Sequence, residues 1–355
     1  MPPCCAQRLL LQLACCLGGL AAKGPEGYRR TAAVDGSNFF SEFQFFTDAD
    51  PTGGFVQYVD EATARRAGMV SDRVPGPVLM SAERGGVSGP GGRRSVRVQS
   101  RKTWMQGLFV LDVQHMPTGC GSWPAFWLCG PRWPDGGEID VLETTHETVR
   151  DQSTLHTSQG CSMKTVNTSS FTGHWLLRPD GQPATDCFVR AAGQSTNQGC
   201  GVLNSEGSSG APFNAAGGGV VATEWDERGV RMWLFGRGTV PADLQARSSP
   251  RPAGWGEPYA RFDFGEACGT DHFREQQLIF DITFCGQWAG ENFGRSCPHA
   301  ASSTCTDFVR NHPEALSEAY WLVNYLDVYE SNGRDSARSA GGFHGVPPPP
   351  PSLVV

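Results

Sequence analysis

From Val220 to Phe235 the chain spells out a hairpin. Val220-Val221-Ala222-Thr223-Glu224-Trp225 is followed by Asp226-Glu227-Arg228-Gly229 and then by Val230-Arg231-Met232-Trp233-Leu234-Phe235. Both arms alternate β-formers with other residues, and a glycine closes the tetrapeptide between them, so the pair reads as two antiparallel strands around a tight turn. No long stretch repeats its apolar residues at helical spacing. Gly 45 and Pro 25 among 355 residues are ordinary for a turn-rich all-β chain and high for a helical one. Further strand-like pieces lie at 53–59, 95–100, 104–116, 277–285 and 320–329. Many short strands with abundant turn formers point to an all-β sandwich of two packed antiparallel sheets. Such a domain can exceed 200 residues, so a single large domain is expected over 23–335, with tails at 1–22 and 336–355.

The chemistry is concentrated in Gly137-Glu138-Ile139-Asp140-Val141-Leu142-Glu143. Side chains alternate along a strand, so Glu138 and Asp140 share one face and Ile139 and Val141 take the other. Strict alternation would then turn Leu142, not Glu143, toward the carboxylates. A one-residue bulge after Asp140 brings Glu143 round to join them, and bulges are frequent beside active sites. Retaining glycoside hydrolysis needs two carboxyl groups about 5–5.5 Å apart, one a nucleophile and the other an acid that becomes a base. Asp140, between them, can share a proton with the nucleophile and separate the two glutamate pKa values. A solvated acidic strand or a cation site is the plainer alternative. Against it stands the aromatic run just ahead, Trp123-Pro124-Ala125-Phe126-Trp127 with Trp133, because pyranose rings stack on aromatic faces. These rings cannot all be platforms, since core is the commoner fate of an aromatic. Trp133, on the loop feeding the acidic strand, is the best placed. Trp255, in Pro252-Ala253-Gly254-Trp255-Gly256, sits among helix breakers on a loop and reads as a second platform. In Ser95-Val96-Arg97-Val98-Gln99-Ser100 the valines face one way and Arg97 and Gln99 the other, which makes Arg97 a surface charge or a partner for the acidic row.

Glu138-Ile139-Asp140 followed at two residues' distance by Glu143, behind Trp123-Pro124-Ala125-Phe126-Trp127, resembles glycoside hydrolase family 16, most of all its fungal laminarinase branch of endo-1,3(4)-β-glucanases. The likeness runs over 37–329 and includes Asn38-Phe39-Phe40, Gly119-Cys120-Gly121, Thr154-Leu155-His156-Thr157, Asp281-Ile282-Thr283-Phe284-Cys285-Gly286 and Asn324-Tyr325-Leu326-Asp327-Val328-Tyr329. The resemblance implies a β-jelly-roll sandwich of the concanavalin A-like lectin/glucanase kind, with a cleft across its concave sheet. It also implies Glu138 as nucleophile, Glu143 as acid/base and Asp140 between them, acting on β-1,3- or mixed β-1,3/1,4-glucans. Arg97, His156, Phe126 and Asn38 become candidate sugar contacts, His156 near the acid/base. A transglycosylase would share the same pair. A non-catalytic glucan-binding relative would have lost a glutamate, and both are present here.

Net charge is −7 with 18% charged residues, and no basic run is long enough to follow a phosphate backbone, so nucleic acid is not an expected partner. Residues 1–22 carry one cation, Arg8, then a mainly apolar run and small residues. That pattern is a secretory signal peptide, too short to span a bilayer, with Gly19 and Ala21 fitting the cleavage rule. Lipid attachment at Cys16 is the alternative, with Cys15 standing where a small residue is wanted. A secreted, extracellular, monomeric enzyme is therefore expected. Of the nine later cysteines no two form a C-x-x-C pair, so a zinc site has little support and disulfides are the expectation; no cofactor is expected. The count is odd. Cys129, at a strand end, is the candidate for a buried free thiol. Asn167-Thr168-Ser169 is a glycosylation sequon, and the five prolines at 347–351 form a linker or stub with no core to join.

Overall fold

A computed structural model of the chain describes residues 27–72, 76–86 and 91–332. The expected leader at 1–22 and the proline-rich end at 336–355 lie outside them. Two eight-stranded sheets dominate, with strands numbered in chain order. The first runs β16 (Ala260–Asp263), β15 (Gly229–Gly236), β14 (Gly219–Asp226), β8 (Gly107–His115), β18 (Tyr320–Ser331), β5 (Val78–Ser81) and β4 (Val70–Asp72), with β1 (Tyr28–Asp35) also paired to β18. The second runs β12 (His174–Trp175), β13 (Cys200–Leu203), β11 (Gln152–His156), β10 (Glu138–Glu143), β9 (Ser122–Cys129), β17 (Gln277–Phe284), β7 (Arg97–Ser100) and β2 (Phe43–Phe45). A small parallel pair, β3 (Val56–Tyr58) and β6 (Arg93–Ser95), stands apart. Every pairing within the two large sheets is antiparallel. Among the described residues the longest α-helix has seven residues, Cys305–Asn311. This is the expected all-β jelly-roll sandwich.

The core is what alternation dictates. Phe109, Leu111, Val113, Val221, Met232 and Leu326 from the first sheet meet Val98, Leu128, Ile139, Leu155, Phe280 and Ile282 from the second. Trp321 of β18 crosses between the layers. Its ring meets Phe280 edge-on at 5.7 Å, and its indole N–H donates to the Asp281 carbonyl at 3.0 Å. The buried tryptophan thus keeps its polar tip satisfied. In the β14–β15 hairpin Asp226 faces Gly229, leaving a two-residue turn. Gly229 has φ +142°, and a Cβ there would sit 2.0 Å from the Phe262 carbonyl oxygen of β16. Only glycine allows that approach.

A second apolar cluster covers the outer face of the first sheet. Leu108, Val110, Val220, Ala222 and Leu244 form it, with Phe235 and Trp255 packed against them. Among the described residues four disulfides join Cys120–Cys297, Cys161–Cys268, Cys187–Cys200 and Cys285–Cys305. Cys129 is the free thiol among the described residues, as expected, but it is half-buried rather than buried. It pairs across the sheet with Glu138, so it lies on the acidic face and not in the core.

Candidate active site

β10 supplies the acidic row. On the β9 side Asp140 faces Trp127, Leu142 faces Phe126 and Glu143 faces Ala125, so Val141 is one residue extra. That is the bulge expected after Asp140. Ile139, Val141 and Leu142 are all fully buried in the core, and Glu138, Asp140 and Glu143 are left together on the outer face of the second sheet. Gly137, with φ +74°, feeds the strand, and a Cβ there would strike the His272 carbonyl at 2.4 Å. The loop before it is closed by the Gly130 N–H on the Gly137 carbonyl at 2.9 Å. The Gln276 amide adds a bond to the Gly136 carbonyl at 2.6 Å. Trp133 is thereby held over the start of β10.

Each glutamate receives an indole N–H from a different tryptophan. Trp133 donates to Oε2 of Glu138, and Trp123 donates to Oε1 of Glu143 at 2.8 Å. Asp140 lies within hydrogen-bonding reach of Glu138. Nε2 of His156 is 3.1 Å from Oδ2 of Asp140, close enough to pair charges but off the line of a hydrogen bond. Register places His156 directly across from Glu138 and Thr154 across from Asp140. On the other side, Arg97 of β7 faces Asp281 of β17. Its guanidinium lies 4.3 Å from the Phe46 ring centre and 5.0 Å from that of Trp127. The Trp127 indole donates to Asp281 at 3.0 Å.

Electrostatics follow from enclosure. Burial, then the charge of Asp140, pushes Glu138 up to about 8, while His156, the Trp133 N–H and Arg97 pull the other way. Glu143 is raised well above the usual carboxylate range by burial and next by Asp140, against the Trp123 hydrogen bond. Asp140 is raised likewise, by burial and then by Asp281. Asp281 itself is pushed to about 7, by burial first, with Arg97 opposing. Carboxyl groups packed this closely cannot all ionise at neutral pH, so the row holds protons as a unit.

Trp133, His156 and Arg97 thus stand with the acidic row. Three other expected contacts do not. Phe126 is 1% exposed and stacks on Phe280 at 4.5 Å within the core, because it faces inward between outward Ala125 and Trp127. Trp255 packs edge-on against Trp233 and Phe235 at 5.3 and 5.9 Å, with its N–H on Asp243. It belongs to the cluster on the outer face of the first sheet, on the opposite side of the sandwich. The Asn38 side chain is committed to its own turn, accepting from the Asp35 N–H and donating to the Ala33 carbonyl. Sequence reasoning named Trp123, Trp127 and Asp281 without giving any of them a place in the site, and passed over Asp151. It also passed over Trp288, which meets Trp123 edge-on at 5.6 Å. The β9 rings were within reach of period two: Trp123 and Trp127 are four apart and share a face, which sends Phe126 to the other.

Residues 43–329 match the family model of the XgeA-like, catalytic GH16 domain. The chain belongs to glycoside hydrolase family 16. An endo-1,3(4)-beta-glucanase of Arthroderma benhamiae is 38% identical over 88% of this chain and 67% of its own length. Among solved structures of the family, GH16 Laminarinase 16A from Phanerochaete chrysosporium, with beta-glucans in its donor and acceptor sites, is 36% identical. It covers 86% of this chain and 100% of its own, with a TM-score of 0.77. An elongating GH16 beta-1,3-glucosyltransferase is also 36% identical, covering 85% and 100%, with a TM-score of 0.77. This GH16 chain is a glycoside hydrolase, and the carboxylate face of its second sheet is the candidate site.

Proposed function

We propose that the chain is a secreted endo-β-glucanase that hydrolyses β-1,3- or mixed β-1,3/1,4-glucans with retention of configuration. The observation that carries this reading is the matched pair of glutamates on one face, each with its own indole donor and with Asp140 between them. Glu138 attacks the anomeric carbon as the glycosidic C–O bond breaks, and Glu143 gives its proton to the departing oxygen. Water, deprotonated by Glu143, then displaces Glu138 from the glycosyl ester. Two displacements at one carbon return the original configuration.

The surrounding groups have parts that follow from charge. Against burial and the charge of Asp140, the Trp133 N–H, Arg97 and His156 favour the ionised Glu138 that attack requires. Burial keeps Glu143 protonated until the leaving oxygen needs it. Trp133, Trp123, Trp127 and Trp288 offer ring faces to glucose units. Four disulfides suit an oxidising extracellular compartment, as do the fungal glucanase relatives.

A second reading has a specific observation behind it: the glucosyltransferase neighbour is as similar as the laminarinase. In that case an acceptor sugar replaces water in the second step. Incubation with laminarin, mixed-linkage β-glucan and β-1,6-glucan, followed by reducing-end titration and product sizing, tests both. Hydrolysis predicts new reducing ends from the first two polymers. Chains longer than the substrate, with few new reducing ends, would favour transfer.

A further inference from the structure

The bulge that brings Glu143 outward also breaks the hydrogen-bond ladder at Val141, and three buried side chains outside the acidic row take over the broken pairings. The Glu143 N–H donates to Oδ1 of Asp151 at 2.9 Å. The Val141 carbonyl accepts from the Ser153 hydroxyl at 2.9 Å and from the Tyr259 hydroxyl at 3.2 Å. Those two hydroxyls are 2.8 Å apart, and the Tyr259 hydroxyl is 3.4 Å from Oδ2 of Asp151. Asp151 is itself held, its N–H donating to the Ser208 hydroxyl at 2.8 Å. Asp151 and Ser153 are wholly buried, and Tyr259 is 5% exposed. The Tyr259 N–H pairs with the Met232 carbonyl of the first sheet at 2.8 Å, so its ring spans the core to reach the second.

We propose that Asp151, Ser153 and Tyr259 are positioning residues for Glu143, a clamp that holds the bulge in the one register that presents this side chain to the leaving oxygen. This rests on Glu143 being the acid/base. A bulge leaves backbone groups without ladder partners, and buried backbone donors and acceptors must find partners elsewhere. Here they find them in side chains that no sugar can reach. A strand that slipped back to strict alternation would turn Leu142 outward and Glu143 inward. The clamp opposes that slip from both ends of the irregularity: Asp151 at the Glu143 N–H, Ser153 and Tyr259 at the Val141 carbonyl. A misplaced Glu143 would protonate poorly, so the loss should scale with how much the leaving group needs the proton.

The test compares kcat on laminarin with kcat on a dinitrophenyl β-laminaribioside in azide, where neither leaving group nor nucleophile needs Glu143. The variants are Asp151→Ala, Asp151→Asn, the double Ser153→Ala/Tyr259→Phe, and Glu143→Ala as reference. Asp151→Ala and the double variant should lose at least about 10-fold on laminarin with KM little changed, and under about 3-fold on the aryl substrate, a small fraction of a full acid/base contribution. Asp151→Asn, which keeps an acceptor for the Glu143 N–H, should recover most of the laminarin rate. Equal losses on both substrates, or none, with Glu143→Ala still showing the split, would overturn the clamp. Absence of the split in Glu143→Ala would instead remove the acid/base assignment on which the clamp rests. Ser153→Ala/Tyr259→Phe removes only hydroxyls, so a folded variant is available even where Asp151→Ala fails to fold.

Discussion

The indole N–H of Trp123 lies 2.8 Å from Oε1 of Glu143, and it is the hydrogen bond that opposes the rise in that carboxyl's pKa. A donor to a carboxylate stabilises its charged form. Trp123→Phe keeps an aromatic face and removes the donor, so Glu143 should hold its proton to higher pH. The basic limb of the kcat/KM profile on laminarin should therefore move upward, with a loss at the optimum of about 3- to 10-fold, in the range of one charge-assisted hydrogen bond. An unmoved basic limb would detach Trp123 from the acid.

Trp133 stands in the same relation to Glu138, but the proposed mechanism needs that residue ionised to attack. Trp133→Phe should raise the Glu138 pKa further and shift the acidic limb, rather than the basic one, to higher pH. Trp133→Ala should add a rise in KM on polymer, as a stacking face is lost, with thermal stability close to wild type. Profiles with both limbs in place and an unchanged KM would return Trp133 to a structural part.

Trp255 should behave oppositely. Its ring packs under a loop on the first sheet, against Trp233 and Phe235, away from the acidic face. Trp255→Ala should cost about 2 kcal/mol, less than the roughly 3–5 of a fully buried tryptophan, and leave KM on long glucans unchanged. Urea unfolding together with polymer kinetics decides the matter, and a raised KM at normal stability would place the ring back among the sugar contacts.

The acidic row was legible because spacing alone requires a bulge to bring Glu143 beside Glu138 and Asp140, and burial of both Val141 and Leu142 supplies it. The odd thiol at Cys129 was legible too, though not its position across from Glu138. Trp255 was misread for a physical reason: a sandwich has two outer faces, and a loop tryptophan can be covered on either. No local pattern says which sheet the loop crosses. Asn38 looked free for a ligand, yet its short amide is spent within a turn of its own backbone. Asp151 and Tyr259 gave no signal at all, since what recruits them is the broken ladder at Val141, and the two lie 108 positions apart. β13 was likewise hidden, being only four residues long.

Stability should depend on pH through the same carboxyl row. Glu138 has a folded pKa of about 8 against an ordinary 4.5. Between those values the folded chain binds more protons than the unfolded one, so stability is greatest below about pH 4.5 for this group and falls as pH rises through 8. Glu138→Gln removes the titration. The variant should melt higher than wild type at pH 8, by about 2–4 °C for a change of 1 kcal/mol, and the advantage should vanish near pH 4.5. A constant offset across that range would mean Glu138 does not carry the linkage.

The pairing of nucleophile and acid/base is tested most directly by the anomeric configuration of the glycosyl azide each variant makes from a dinitrophenyl β-laminaribioside, read by proton NMR. With Glu138→Ala, azide enters in place of the missing nucleophile and a single displacement should give the α-azide. With Glu143→Ala, the ester on Glu138 forms first, and azide should displace it to give the β-azide. The β-azide from Glu138→Ala, or the α-azide from Glu143→Ala, would contradict the assignment.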